Sequence, residues 1–262
     1  MSLRLGAVAF LNGRPLVASL EADPRFVVSF SVPSACARQL RTGAIELGQI
    51  PSIDYARSPE PYCILPQVAI GSRGDVLTVR LYHTCPPAQL RRVALDLSSL
   101  TSVALVRILL AECFAVTPEF VDAEPNLDAM LGRADGALLI GDSVFANLDT
   151  KTASLDLGRL WSDLTGLPFV YAFWAGRCGA LTGAEAAALV CAARDGEGEI
   201  PRIAAEQAAD EATARLYEEY LTSNISYALG QEEIAGLNRF YGLAEDHGLI
   251  GAVPPLRFFP AE

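Results

Sequence analysis

Apolar runs of strand length alternate along the chain with runs of helix length, and short polar turns separate them. Residues 3–10, "LRLGAVAF", form the first apolar run. "LNGRP" breaks it with Pro15 placed for a first helical turn, and "LVASLEA" reads as a short helix. "RFVVSFSVP" is a second strand, "SACARQLRTG" a second helix closed by Gly43, and "AIELGQIPS" a third strand ending in a Pro-Ser turn. Strand–helix–strand–helix–strand predicts a parallel sheet with helices on its faces.

The pattern then recurs. "RRVALD" (91–96) is a strand, "LSSLTS" a break and "VALVRILLAECF" a helix; "EFVDA", "NLDAMLGR" and "GALLIGDSV" continue as strand, helix and strand. Between the halves lies the alternating run "DVLTVRLYHT" (75–84), and after the second half "LPFVYAFWAG" (167–176). Two strand-like crossovers between two mainly parallel α/β sheets predict a two-lobed protein with a ligand cleft between the lobes. The expected boundaries are residues 1–86 with 177–262 for the first lobe and 87–176 for the second. The tail from about residue 182, including "ISYALGQEEIAGLNRFYGLAEDHGLI", reads as helical and packs with the first lobe. In open α/β sheets ligands sit beyond the carboxyl ends of the strands. Four such ends, Leu11–Pro15, Pro51–Tyr55, Leu97–Ser102 and Gly141–Ser143, therefore meet at one cleft.

Composition narrows the chemistry. A net charge of −11 argues against nucleic acid as a partner. No apolar stretch is long enough to span a membrane, and the N-terminus carries no secretion signal, so a cytoplasmic protein is expected. Lys151 is the only lysine, in the polar stretch "LDTKTAS". His83 and His247 are the only histidines, so a His/Cys metal site or a Ser-His-Asp triad has little to draw on. Phosphate-binding glycine loops are absent. The six cysteines form no C-x-x-C pair and read as buried reduced thiols. Hydroxyls, amides, carboxylates and arginine remain.

The loops at the strand ends supply them. Ser98, Ser99, Thr101 and Ser102 cluster where a strand turns into a helix. A helix N-terminus attracts anions, and hydroxyls there add donors for carboxylate oxygens. A cap accounts for one or two of them, and four exceed that need. Asn12 can donate and accept, and Arg14 either pairs with a carboxylate or faces solvent. Ser52, Asp54 and Tyr55 are site candidates or parts of a Pro-turn. Gly141 forms a Gly-Asp turn with Asp142, which binds a substrate hydroxyl or caps the next helix. Asn224, Ser226 and Tyr227 mark a helix junction.

The segments "AFLNGRPL", "IPSIDY", "ALDLSSLTSVALVRILL", "ALLIGD" and "TGLPFVYAFWA" together resemble the chorismate dehydratases of the futalosine route to menaquinone. The likeness runs in order from about residue 4 to about residue 176. It implies a periplasmic-binding-protein type II-like fold and conversion of chorismate to 3-[(1-carboxyvinyl)oxy]benzoate and water, without metal or organic cofactor. It also implies that Asn12 lies beside the reacting centre; the turns themselves put forward Arg14, Ser52, Ser98, Ser99, Thr101, Ser102, Gly141 and Asp142 as substrate-binding residues. Two other readings share the fold: a dihydroxynaphthoate synthase of the same pathway, and a non-catalytic small-acid binding protein. "AFLNGRPL" favours the dehydratase over the synthase. The oligomeric state does not follow from the sequence.

Overall fold

The computed structural model describes residues 2–260. The elements run β1 (Leu3–Val8), β2 (Phe26–Ser31), α1 (Pro33–Thr42), β3 (Leu47–Pro51), α2 (Ser52–Arg57), β4 (Tyr62–Ser72) and β5 (Val79–His83). They continue with β6 (Arg92–Asp96), α3 (Leu100–Phe114), β7 (Glu119–Ala123), α4 (Leu127–Leu131), β8 (Gly136–Ile140), β9 (Ala153–Asp156), α5 (Leu157–Thr165) and β10 (Phe169–Arg177). The tail holds α6 (Gly183–Gly198), α7 (Ile200–Gln207), α8 (Glu211–Glu219), β11 (Ser226–Leu229) and α9 (Gln231–Asp246). Among the described residues the strands form two sheets, ordered β11-β4-β10-β3-β1-β2 and β7-β6-β8-β5-β9. Helices cover both, and no described helix is long and apolar enough to cross a membrane.

The expected α/β class with two lobes holds, but the sheets are mixed rather than mainly parallel. In the first, β1 pairs parallel with β2 and β3, while β10 runs antiparallel to β3 and β4, and β11 antiparallel to β4. In the second, β6 pairs parallel with β7 and β8, while β5 runs antiparallel to β8 and β9. The cause is connectivity. β1, β3, β6 and β8 end at the cleft, so a strand that enters a lobe from the cleft must run the other way. β5 enters the second lobe in this manner and β10 re-enters the first.

This also moves the expected boundaries. Val79–His83, assigned to the first lobe, pairs in the second sheet, and Phe169–Arg177, assigned to the second, pairs in the first. Other expectations shift with tertiary context. "LVASLEA" forms turns with one 3-10 turn at Leu20–Ala22 in place of a helix. "SYAL" becomes β11, an edge strand of the first sheet, where a helix was expected. The longest strand, the 11-residue β4, went unread because Pro66 interrupts its apolar run. The chain accommodates this with Gln67 at φ 67° and a register shift against β10.

The termini of several helices are legible locally. Pro33 opens α1 and Gly43 closes it at φ 73°. α3 is buried nearly all round, from Thr101 to Leu110, as its continuous apolar sequence requires. Asp156 does more than cap. Its carboxylate accepts Gly158 N and Arg159 N at the start of α5, at 3.0 and 3.1 Å. It also accepts Val76 N and Leu77 N from the other crossover, at 3.0 and 2.8 Å. One carboxylate thus ties together the two segments that join the lobes. Leu77 is held there at φ 67°, a conformation unfavourable for a branched side chain.

The cysteines are corrected as well. Cys63 and Cys178 form a disulfide between β4 and the end of β10, Cys36 is buried, and Cys113 and Cys191 are exposed. Strand pairing places Gly176 beside Cys63, which brings two cysteines 115 residues apart into bonding range. Spacing alone cannot show that contact.

Two outcomes follow. Purified protein unfolded without reductant should titrate four thiols per chain rather than six, matching Cys36, Cys85, Cys113 and Cys191. Asp156→Ala should lower unfolding free energy by about 3–5 kcal/mol in denaturant titrations, because it orphans several buried donors at once.

Candidate active site

The strand ends of both sheets meet around a narrow cleft between the lobes with about 30 Å³ of free space. From the first lobe come Val8, Phe10, Asn12 and Pro33, with Tyr171 and Ala172 at the start of β10. From the second come Thr78 and Val79 before and at β5, Ser99 and Ser102 at the start of α3, and Ile140 with Gly141 after β8. No lining side chain is formally charged. A larger open groove, lined among others by Arg194 and Glu197, lies on the tail side between α6 and β11, away from these strand ends.

Asn12 sits in the 3-10 turn Leu11–Gly13 that follows β1. Its Nδ2 donates to Tyr220 Oη at 3.1 Å, and Tyr227 Oη donates to its backbone carbonyl at 3.1 Å. Its Oδ1 has no protein partner among the described residues and is free to accept from a ligand. Ser99 occupies the N-cap position of α3 without capping through its side chain. Ser102 Oγ donates to Ser99 Oγ at 3.4 Å, so the Ser99 hydroxyl proton is left for a ligand. The first N–H groups of α3 lack partners within the helix, and its dipole adds positive potential at the same point. Gly141 has φ 69°, and a Cβ there would come within 2.8 Å of the Phe10 ring. Only glycine lets the two lobes approach so closely at this turn.

Five expected contacts lie elsewhere. Ser52 and Thr101 are both fully buried and face each other across the lobe interface. Thr101 Oγ1 accepts Ile53 N at 3.1 Å and lies 3.3 Å from Ser52 Oγ, which donates to Val170 O at 2.8 Å. They fasten the lobes and present nothing to the cleft. Ser98 borders a separate groove with Asp96, Asp122, Glu124 and Arg133, and its Oγ is buried without a partner, away from the cleft. Arg14 stacks its guanidinium 4.2 Å above the Phe30 ring, outside the cleft lining. Asp142 neither binds in the cleft nor makes a side-chain cap. Both its oxygens accept Leu11 N, at 3.0 and 3.1 Å, which fixes the turn carrying Asn12 from the opposite lobe.

Sequence reasoning missed Thr78, Phe10, Tyr171 and Tyr220. Thr78 was absorbed into the run "DVLTVRLYHT", although a hydroxyl one residue before an alternating strand is where a cleft residue would stand. Tyr227, read as part of a helix junction, instead supports Asn12 from β11. Asp54 is nine-tenths buried on α2, and its Oδ2 has no partner. Burial pushes its carboxyl up to about 6 from the ordinary 3.8, against the pull of Arg57 and Arg41.

A family model described as menaquinone biosynthesis matches residues 3–246 of this chain. The chain is 32% identical over 254 residues to a protein named chorismate dehydratase from Thermus thermophilus, covering 90% of this chain and 93% of that one. Among solved structures, protein AF1704 from Archaeoglobus fulgidus superposes with a TM-score of 0.75 at 18% identity, over 95% of this chain and 98% of that one. The periplasmic aliphatic sulphonate binding protein SsuA from Escherichia coli gives 0.66 at 16% identity, over 100% and 94%. At such identities the structures speak for the fold alone, a periplasmic-binding-protein-like one.

The Asp54 carboxyl binds its proton more tightly folded than unfolded. Its contribution is therefore complete below pH 3.8 and lost as pH rises through about 6. Asp54→Asn should stabilise the protein at pH 7.5, by on the order of 2 kcal/mol, and leave stability at pH 3.5 unchanged. Denaturant titrations at the two pH values check this.

Proposed function

As the chain belongs to the menaquinone-biosynthesis family, we propose that it is a chorismate dehydratase, a carbon–oxygen lyase that converts chorismate to 3-[(1-carboxyvinyl)oxy]benzoate and water. The observation that carries the reading is the cleft between the lobes lined by Asn12, Thr78, Ser99 and Ser102, with no charged side chain.

Chorismate carries two carboxylates. Ser99 and the N-terminus of α3 offer a neutral donor and a positive dipole end to one of them, with Ser102 donating to the Ser99 oxygen and holding it in place. The apolar walls, Val8, Phe10, Val79 and Ile140, hold the ring and exclude water. The reaction breaks the C3–H and C4–O bonds of the substrate, and the ring becomes aromatic, so the driving force is in the substrate itself. The protein has to orient the ring and steady the departing hydroxyl. Asn12 and Thr78 stand beside each other at the turn and crossover that border the cleft, and both can hydrogen-bond a substrate oxygen. No carboxylate or imidazole lines the cleft. In this reading the enolpyruvyl carboxylate of the substrate takes the C3 proton, and that proton and the leaving hydroxide depart as water. The protein acts in the cytoplasm, where chorismate is made.

The test is loss of chorismate absorbance on mixing with purified protein, with the product identified by mass. Tight binding without turnover would instead mark a small-acid binding protein. Asn12→Asp should cut kcat at least about a hundredfold, because ionised aspartate loses both donors and repels a dianion. Asn12→Ala should also be slow but bind chorismate better than the aspartate variant. Replacing Ser99 and Ser102 together with alanine should weaken binding about tenfold or more, as charge-assisted hydrogen bonds are lost, whereas Ser98→Ala should not. Steady-state rates and binding titrations of these variants decide it.

A further inference from the structure

The tail reaches the turn that carries Asn12 through Tyr220 and Tyr227. Where α8 ends, Tyr220–Asn224 forms a single π-helical turn, closed by Ile225 N donating to Tyr220 O at 3.2 Å. Such turns are rare and occur often at functional sites. This one carries Tyr220, whose ring is 1% exposed and packs edge-on against Phe145 with centroids 5.2 Å apart. The Tyr220 oxygen meets two residues that line the cleft. Asn12 Nδ2 lies 3.1 Å away on the first lobe, and Thr78 Oγ1 lies 2.8 Å away on the crossover into the second.

Counting protons orders these contacts. Asn12 Nδ2 can only donate, so the phenol oxygen accepts there. The phenol has one proton, and Thr78 Oγ1 is its only acceptor in reach among the described residues. A buried hydroxyl proton without an acceptor is costly, so Tyr220 donates to Thr78. Thr78 Oγ1, with its lone pair taken by Tyr220 and no other partner among the described residues, keeps its own proton as a free donor. Asn12, anchored through Nδ2, turns Oδ1 outward as an acceptor. Burial raises the phenol well above its ordinary range, so it stays protonated at every working pH.

We propose that Tyr220 is a positioning residue for the reaction: its phenol bridges Asn12 and Thr78 and fixes Asn12 Oδ1 as an acceptor and the Thr78 hydroxyl as a donor toward the cleft. This rests on the dehydratase reading above. A substrate hydroxyl and the oxygen beside it would then meet one acceptor and one donor already in place, with no side chain to reorganise during the reaction. The same arrangement accounts for a tail that reaches back across the whole sequence to touch residue 12.

Tyr220→Phe keeps the ring and removes only the bridge. It should lower kcat by about tenfold to a hundredfold, the scale on which misplaced groups act, with KM changed less than about threefold. The loss should persist in the Thr78→Ser background, which keeps the hydroxyl, and shrink in the Thr78→Val background, where only the bond to Asn12 is left to break. If the two losses multiply in the Thr78→Val background, or if kcat holds while KM rises, Tyr220 only packs the interface and the proposal falls. The Thr78→Ser and Thr78→Val pair reads the same bond from its other end, should Tyr220→Phe fold poorly. Near-equal rates for that pair would also overturn it. Wild-type protein that turns over no chorismate would remove the dehydratase reading and this inference together, and wild-type turnover with insensitive variants would remove the inference alone.

Discussion

Asp156 is the constraint on which the two-lobed arrangement turns. A chain that leaves one sheet to build another and then returns must pass the cleft twice, and each passage exposes backbone donors that no ladder satisfies. The Asp156 carboxylate accepts from Val76, Leu77, Gly158 and Arg159 and so supplies one acceptor group for both passages. Burial pushes this carboxyl up, and the amides of Val76, Arg159 and Leu77, with Arg80, pull it back toward ionisation. The residue that benefits is Thr78, one position beyond the strained Leu77, which is thereby delivered to the cleft wall.

A second set of buried polar contacts closes the cleft. Thr101 at the start of α3 satisfies the first donor of α2, and Asp142 from the second lobe satisfies Leu11 in the first. Each bond runs between lobes, and each sits one or two residues from a cleft residue, Ser102 in one case and Asn12 in the other. Polar groups that looked like ligand contacts are thus the fasteners that hold the ligand contacts in register. The remaining donors are neutral, which suits a dianion that must be gripped without being trapped as an ion pair, since buried charges are costly to desolvate. The Cys63–Cys178 bond joins β4 to the end of β10 within the first sheet.

The hydrophobic pattern was sufficient for the class of the fold, because strand and helix periods are local properties of consecutive residues. It located β1, β3, β6 and β8, and with them the turns after β1, β6 and β8 that border the cleft, but not the crossover that carries Thr78. It failed where partners far away in sequence decide the outcome. β4 is a strand because β10 and β11 pair with it, in spite of Pro66. β11 forms because an edge was open for "SYAL", and β5 and β10 run antiparallel because of where the chain enters each lobe.

The same division runs through the site. The sequence by itself determined which chemistry was available, namely amides and hydroxyls at strand-to-helix turns, and it pointed to Asn12, Ser99, Ser102 and Gly141, which reach the cleft. Only the tertiary structure decided which of four neighbouring hydroxyls face a ligand. Along the first turn of α3, successive side chains point about 100° apart, so Thr101 faces the lobe interface and Ser102 the cleft, while Ser98, ahead of the helix, has its Oγ buried away from the cleft. Tyr220 lay beyond any local reading, because a bond between residues 12 and 220 exists only once both lobes and the tail have packed.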